Sequence, residues 1–572
     1  MRQSQSRSRP PLAVFLIPAM ALVAVLPLIL RGCSCGHDFD FHLLSWFEAS
    51  AQFRVGDLHP AWAFSPAFNA GEPRFVFYPP LSWTLGAILG LVIPWAAVPI
   101  VYTWLALTAA GAAMYRLAHQ FSSTNAALVA AALYIANPYM LFTAYERTAY
   151  AELLATAWLP LLLAAALRED NPALREHVTI LRIAIPVALL WLTNAPAAVM
   201  GCYALALIAL VRLIQAWLTS RRESPQAAFK AYAVLAFRYS SGAALGLDFA
   251  AFYIIPAAYE RRWVQIAMAT ISGMRITDNF LFHHTSDALH DQVLHTASAI
   301  AVILLVAAVA AFVGAFIHAR ESSKRSVLVA LAILSATIAF MLAPLSAAIW
   351  RIAPEVAFLQ FPWRLLAVLA PAVCVAIAVA CNGLKLHGAV TALVTIGIVA
   401  ALTLPAVSIF RQSCDDEDMV EARLALFNAK TGTDPTDEYT PTAADNDSLA
   451  HADPAFWLAK DPDAAAPIAA APGPVPMHFT TTATEDETLI LNLRDYPAWQ
   501  IKINGVLTHS EAARADGLIT IFIHSGLVHV DIAYIAGRDQ RFGEAVSLTA
   551  VTAALAAGFL HRRRPTRPRV SS

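Results

Sequence analysis

The chain has 572 residues, 58% of them hydrophobic and 14% charged, with a mean hydropathy of +0.57. Soluble proteins carry about 25% charged residues, so a water-soluble globule is excluded and a polytopic membrane protein is expected. The net charge of −1 offers no footing for nucleic acid; what informs is where Lys and Arg fall along the chain.

The N-terminus, "MRQSQSRSRPPLAVFLIPAMALVAVLPLIL", reads as an uncleaved signal anchor. Its apolar run is too long for a signal peptide, and no small-residue cleavage site follows. "LRGC" at 30–33 faintly suggests a lipoprotein cleavage site, which Arg31 fits poorly. Runs long enough to cross a bilayer lie near 11–30, 97–118, 124–142, 150–167, 178–195, 196–215, 234–257, 296–317, 327–345, 364–382, 388–409 and 543–560, about twelve spans. The stretch 79–95 is ambiguous. Arg2, Arg7 and Arg9 at one end and "HRRRPTRPR" at the other place both termini in the cytoplasm, which requires an even number of crossings. If 79–95 does not cross, the basic loops (Arg116 with His119, Arg168 with Arg175, Arg221 to Arg238, Arg320 to Arg325, and Lys385) all fall inside. It is therefore expected as a juxtamembrane or re-entrant helix on the outer face. Segments 31–96, 143–149, 258–295, 346–363 and 410–542 then face outward.

Residues 411–480 are rich in Asp, Ala, Pro and Thr and read as mostly loop. From Leu489 the apolar residues alternate: Leu489, Leu491, Leu493; Trp499, Ile501, Ile503; Ile519, Ile521, Ile523; Val528, Val530, Ile532. With "Asn504-Gly505" as a hairpin turn, this predicts a half-buried antiparallel β module at about 485–537. The expected organisation is a transmembrane domain at 1–409 with its first outer loop at 31–96, an extracytoplasmic region at 410–542, and a last helix with a basic tail at 543–572.

No phosphate-binding glycine loop is present, and the polar chemistry faces outward, so a group-transfer donor would arrive through the lipid. In "CGHDFDFHLLSWF" (35–47), Asp38 and Asp40 can jointly hold a divalent cation, or one can act as a base while the other orients. The plainer alternative is a helix cap. Glu146, Arg147 and Glu152 lie at a tight outer turn; a carboxylate just inside a membrane helix is costly and marks function, the alternative being a local ion pair. In "LQFPWR", Arg364 at a helix entry suits a phosphate or simply snorkels to the headgroups. Asp248 lies mid-span. His283, His284, His290 and His295 match no standard metal spacing and read as exposed or gating residues. The six cysteines show no zinc spacing, and Cys33 and Cys35 are too close for an easy mutual disulfide.

The first outer loop, "GHDFDFHLLSWFEASAQFRVGDLHPAWAFSPAFNAGEPRFVFYPPLSW", resembles that of the GT-C membrane glycosyltransferases. It resembles more closely the bacterial membrane proteins labelled "6-pyruvoyl-tetrahydropterin synthase-related". "YERTAYAELLATAWLPLLL", "LQFPWRLL", "DPTDEYTP" and "DYPAWQIKINGVLTHS" extend the resemblance over nearly the whole chain. The resemblance implies an all-α polytopic GT-C-like fold with outer juxtamembrane helices and a small C-terminal extracytoplasmic β domain. It implies a bacterial inner-membrane enzyme moving sugar from a polyprenyl-phosphate donor to an extracytoplasmic glycan or protein acceptor. Asp38 matches the family's acid, as base or as ligand of a divalent metal (Mg or Mn), with Asp40 as its partner. Glu146 or Glu152 supplies a second acid. Arg147 and Arg364 meet the lipid phosphate, and His42 and Gln360 complete the substrate-binding candidates. The competing expectation is a non-catalytic lipid-glycan transporter or cell-envelope assembly factor using the same cavity. A weaker one is a structural component whose β module binds cell-wall polymer.

Overall fold

The computed structural model describes residues 12–168, 176–352, 354–451, 453–467, 471–511 and 513–562. Arg2, Arg7, Arg9, Arg175 and most of the basic C-terminal tail lie outside the described residues. Among those described, ten helices are long and apolar enough to cross a membrane, and a bent pair, Pro225–Phe249 with Ala251–Trp263, can serve as an eleventh. The chain is a multi-pass membrane protein. Each of the twelve expected spans meets helical structure, but two are not simple crossings. Residues 150–167 form Tyr150–Ala155 and Trp158–Ala166, broken at Thr156–Ala157 and too short to pass as one span. The bent pair turns through 73°. Asp248, read from sequence as mid-span, lies at this bend, where its backbone carbonyl accepts from Ser547 Oγ at 2.9 Å. Pro80–Val92, 13 residues, rises about 20 Å, short of the roughly 30 Å of a hydrocarbon core.

Two compact units share the chain. The first comprises Met1–Phe39, Ala97–Leu247 and Ser272–Cys414 and carries nearly all the long apolar helices. Their starts are written locally. Ser123, Asn137 and Asn194 each turn a side-chain oxygen onto the helix N–H three residues on, satisfying donors the helix cannot pair internally.

The second unit comprises Asp40–Ala96, Asp248–Ile271 and Asp415–Ser572. Seven strands run β1 Phe456–Ala459, β2 His478–Ala483, β3 Glu487–Arg494, β4 Trp499–Ile503, β5 Val506–Thr508, β6 Leu518–Ile523 and β7 Gly526–Tyr534. They form two antiparallel sheets, ordered β1-β3-β6 and β2-β7-β4-β5. The alternating residues from both sheets meet in one core with Trp62, Val76 and Phe77 of the first loop, as in a sandwich. The β4–β5 hairpin turns at Asn504 and Gly505, both with positive φ (50° and 82°), the requirement of a type I′ turn. Two features depart from the sequence reading. β3 is buried on both faces because Ile490 enters a second cluster with Trp457 and Leu518. The expected loop at 411–480 contains the helix Val420–Asn428 and the strand β1. A buried ion pair, Glu72 with Arg74 at 2.8 Å, is tied to Thr436 and joins the first loop to the later segment.

Candidate active site

Within the first unit, the segment leaving the first helix is threaded onto the outer turn at 145–149. Asp38 N–H donates to Arg147 O at 2.9 Å, and His37 N–H to Glu146 O at 3.4 Å. Gly36 makes this approach feasible: a Cβ there would fall 2.1 Å from the Glu146 carbonyl oxygen. Ser34 Oγ donates to Tyr145 O at 2.6 Å and accepts from Gln412 N–H at 2.8 Å. A disulfide joins Cys35 to Cys414. Alkylation of the unfolded, unreduced chain should therefore label four thiols, Cys33, Cys202, Cys374 and Cys381. Mass spectrometry showing all six labelled before reduction would refute the bond.

Four of the sequence candidates meet here. Arg147 Nη2 lies 3.7 Å from Asp38 Oδ2, Arg147 Nη1 lies 2.7 Å from Glu152 Oε2, and Arg364 Nε lies 3.6 Å from the same oxygen. Tyr139 OH donates to the other Glu152 oxygen. Glu152 and Arg147 are buried, whereas the Asp38 side chain is 42% exposed. The inner group thus holds two guanidiniums against one buried carboxylate, with Asp38 at its open rim. Aromatic faces complete the shell: Arg147 lies over Trp363 (4.9 Å) and Arg364 over Phe361 (4.9 Å), a favourable setting for partly desolvated cations. Arg364 Nη1 donates to Leu359 O at 3.0 Å, while its buried Nε has no hydrogen-bond partner among the described residues. Both turns that aim these arginines contain a non-glycine residue in the left-handed region, Thr148 (φ 47°) and Gln360 (φ 58°). Such backbone strain concentrates at functional sites.

Glu146 stands apart from this chain of charges. Gln412 Nε2 donates to its carboxylate at 2.7 Å, and burial raises its pKa against that bond. Burial lowers the pKa of His37; Asp38 opposes this, while Arg147 and His290 add to it.

The second unit holds the other two candidates. Arg423 Nη2 donates to Asp40 and, at 2.6 Å, to Asp418. Burial raises the Asp40 pKa, and Arg423 acts against it. His42 is buried beside the rings of Phe41, Tyr78 and Trp46. The helix begins at Phe39, so Asp38 belongs to the preceding turn and Asp40 to the first helical turn. Asp38 is met by Arg147 and Asp40 by Arg423, so a divalent ion on either carboxylate would have to displace a guanidinium. Among the described residues, two groups of three potential ligands cluster: Cys33, Cys35 and Cys414, of which the last two are spent in the disulfide, and His284, Asp291 and His295. Neither includes Asp38 or Asp40.

Sequence reasoning missed Tyr139, Gln412, Arg423 and the Cys35–Cys414 bond. A cysteine in each of two segments expected outside the membrane was the one available signal for the last of these.

No family model and no curated protein sequence matches the chain. Solved structures similar to it include the Archaeoglobus fulgidus oligosaccharyltransferase in the apo form, at 15% identity and a TM-score of 0.41, covering 71% of this chain and 57% of that one. Arabinofuranosyltransferase AftD from Mycobacteria is similar at 14% identity and a TM-score of 0.45, covering 91% of this chain and 40% of that one. ArnT from Cupriavidus metallidurans bound to undecaprenyl phosphate is similar at 14% identity and a TM-score of 0.37, covering 73% and 68%. This chain therefore spans 57% and 40% of the length of the first two.

Proposed function

We propose that the chain is a membrane glycosyltransferase of GT-C type, moving a sugar from a polyprenyl-phosphate donor to an acceptor outside the cytoplasm. The observation that carries this is the line Asp38, Arg147, Glu152, Arg364, with its exposed carboxylate at one end and its excess of positive charge within. Asp38 takes the proton of the acceptor hydroxyl as that oxygen bonds to the anomeric carbon. The bond from that carbon to the phosphate oxygen breaks, and the polyprenyl phosphate leaves with the electron pair. Its growing negative charge meets Arg364 and Arg147, donors already in place before the charge develops. Glu152 holds the two guanidiniums, and Tyr139 in turn holds Glu152 by donating to its other oxygen.

In this reading the protein lies in a bacterial inner membrane with both termini in the cytoplasm and the β module outside, and it belongs with the "6-pyruvoyl-tetrahydropterin synthase-related" membrane proteins. The test is reconstitution in liposomes with a polyprenyl-phosphate sugar. Transfer that requires an acceptor supports the proposal. Movement of the lipid-linked sugar across the bilayer without acceptor, and with no glycosidic product, supports the transporter instead.

A further inference from the structure

Three side chains that the candidate active site does not use meet where a loop enters the helix Ala288–His318. Asp291 and His295 are four residues apart on that helix, so the 3.6-residue period puts them on one face. His284 joins them from the preceding loop. Its Nδ1 lies 3.5 Å from Asp291 Oδ1, and His295 Nδ1 lies 3.5 Å from Asp291 Oδ2. The two imidazole rings are 4.7 Å apart, edge to face, and one ligand atom from each of the three residues lies within 4.8 Å of the others. The sequence hid this set, because its spacing runs from a loop onto a helix and matches no standard motif.

A charge-assisted N–H···O⁻ bond closes to about 2.8 Å. Both observed contacts are longer than such a bond at 3.5 Å, and they run to different oxygens of one carboxylate, Oδ1 towards His284 and Oδ2 towards His295. Asp291 therefore stands between the two rings with either oxygen available to an ion. The carboxylate is also oriented: Thr285 N–H donates to Asp291 Oδ1 at 2.9 Å. The loop is fixed by Asp287, whose side chain accepts from Leu289 N–H and His290 N–H at the helix start.

We propose that His284, Asp291 and His295 bind one divalent transition ion of the zinc class, with the fourth position taken by water. Imidazole nitrogens select Zn²⁺, Co²⁺ or Ni²⁺, whereas Mg²⁺ and Ca²⁺ need an oxygen cage. His284 is 76% exposed, so the ion enters without opening the fold. Once bound it clips the loop to the helix. The adjacent His290 contacts Asn279 Oδ1 at 2.6 Å and packs 5.7 Å from the Phe361 ring, over which Arg364 lies. The ion therefore holds the loop in place near Arg364, and the site stands whatever reaction the chain performs.

The test uses full-length protein in detergent, stripped with chelator, in a Cys33→Ser background that removes the thiol beside the disulfide. Calorimetric titration should give one Zn²⁺ per chain, with Mg²⁺ unable to compete. His284→Gln and His295→Gln should each weaken binding about tenfold or more and abolish the rise in melting temperature that Zn²⁺ produces. His284→Gln should leave the zinc-free melting temperature unchanged, since that side chain is exposed. Co²⁺ should give a spectrum of nitrogen and oxygen ligation. Unchanged affinity in His284→Gln, thiolate bands with Co²⁺, or no saturable Zn²⁺ binding would each overturn the proposal.

Discussion

Asp38→Asn should reduce sugar transfer about 10²- to 10⁴-fold, the usual loss when a positioned general base is removed, while binding of the lipid-linked donor stays nearly unchanged. Asn is nearly isosteric and serves a helix start as well as Asp does. The side chain is 42% exposed and lies 3.7 Å from Arg147, so losing its charge costs little stability. The effect is therefore expected in the chemical step. Asp40→Asn is the control. Asp40 is held by Arg423, and its replacement should change the rate by no more than a few-fold. The measurement is initial velocity in reconstituted liposomes alongside donor affinity. Equal losses in both variants would favour a shared metal over a single base, and full activity in Asp38→Asn would remove the base altogether.

Glu152→Gln should destabilise the protein by about 3–5 kcal/mol, the cost of stranding buried charge when one partner of a buried pair is removed. Glu152 is 3% exposed and faces Arg147 and Arg364, with Tyr139 donating to its second oxygen. Gln preserves the shape and can still accept the tyrosine hydroxyl, so the loss isolates the charge. Adding Arg364→Met to Glu152→Gln should recover part of it, because one of the two stranded guanidiniums is then gone. Thermal unfolding in detergent, read for both variants, decides the matter. An unchanged midpoint in Glu152→Gln would mean that water or another group already neutralises the arginines.

Much of this could be read in the chain itself, for physical reasons. Apolar runs must match the thickness of a bilayer, so ten helices lie close to where hydropathy puts them. The alternation from Leu489 to Ile532 had to become strands, since a period of two has no helical equivalent. Asp38, Arg147, Glu152 and Arg364 were each conspicuous as charges at the ends of apolar runs. Their meeting was not legible. Arg364 reaches Glu152 across more than two hundred residues, and the contact depends on how helices pack rather than on any local period. Tyr139 was invisible for a different reason: an aromatic residue in an apolar helix is ordinarily core, and nothing nearby marks its hydroxyl as a donor to Glu152. β1 was missed because Phe456–Ala459 is four residues long in a stretch rich in Asp, Ala and Pro, and it pairs with β3 some thirty residues away. The D-x-D spacing left shared work, a base with its orienter and a helix cap all open; in the structure Asp38 and Asp40 each keep a separate arginine.

The bond between Cys35 and Cys414 has a consequence in time. Its two halves are 379 residues apart, and at a synthesis rate of roughly 5–20 residues per second the second half arrives about 20–75 s after the first. If this end of the first helix faces outward, as proposed, the nascent chain carries Cys33 and Cys35 together as thiols for that interval, both exposed to oxidants and to stray partners. When Cys414 emerges its sulfur can meet either one; Cys33 Sγ ends 4.0 Å from it. Correct maturation is thus a late choice between two neighbouring cysteines, and a cell short of disulfide isomerase should accumulate full-length chains closed through the wrong one.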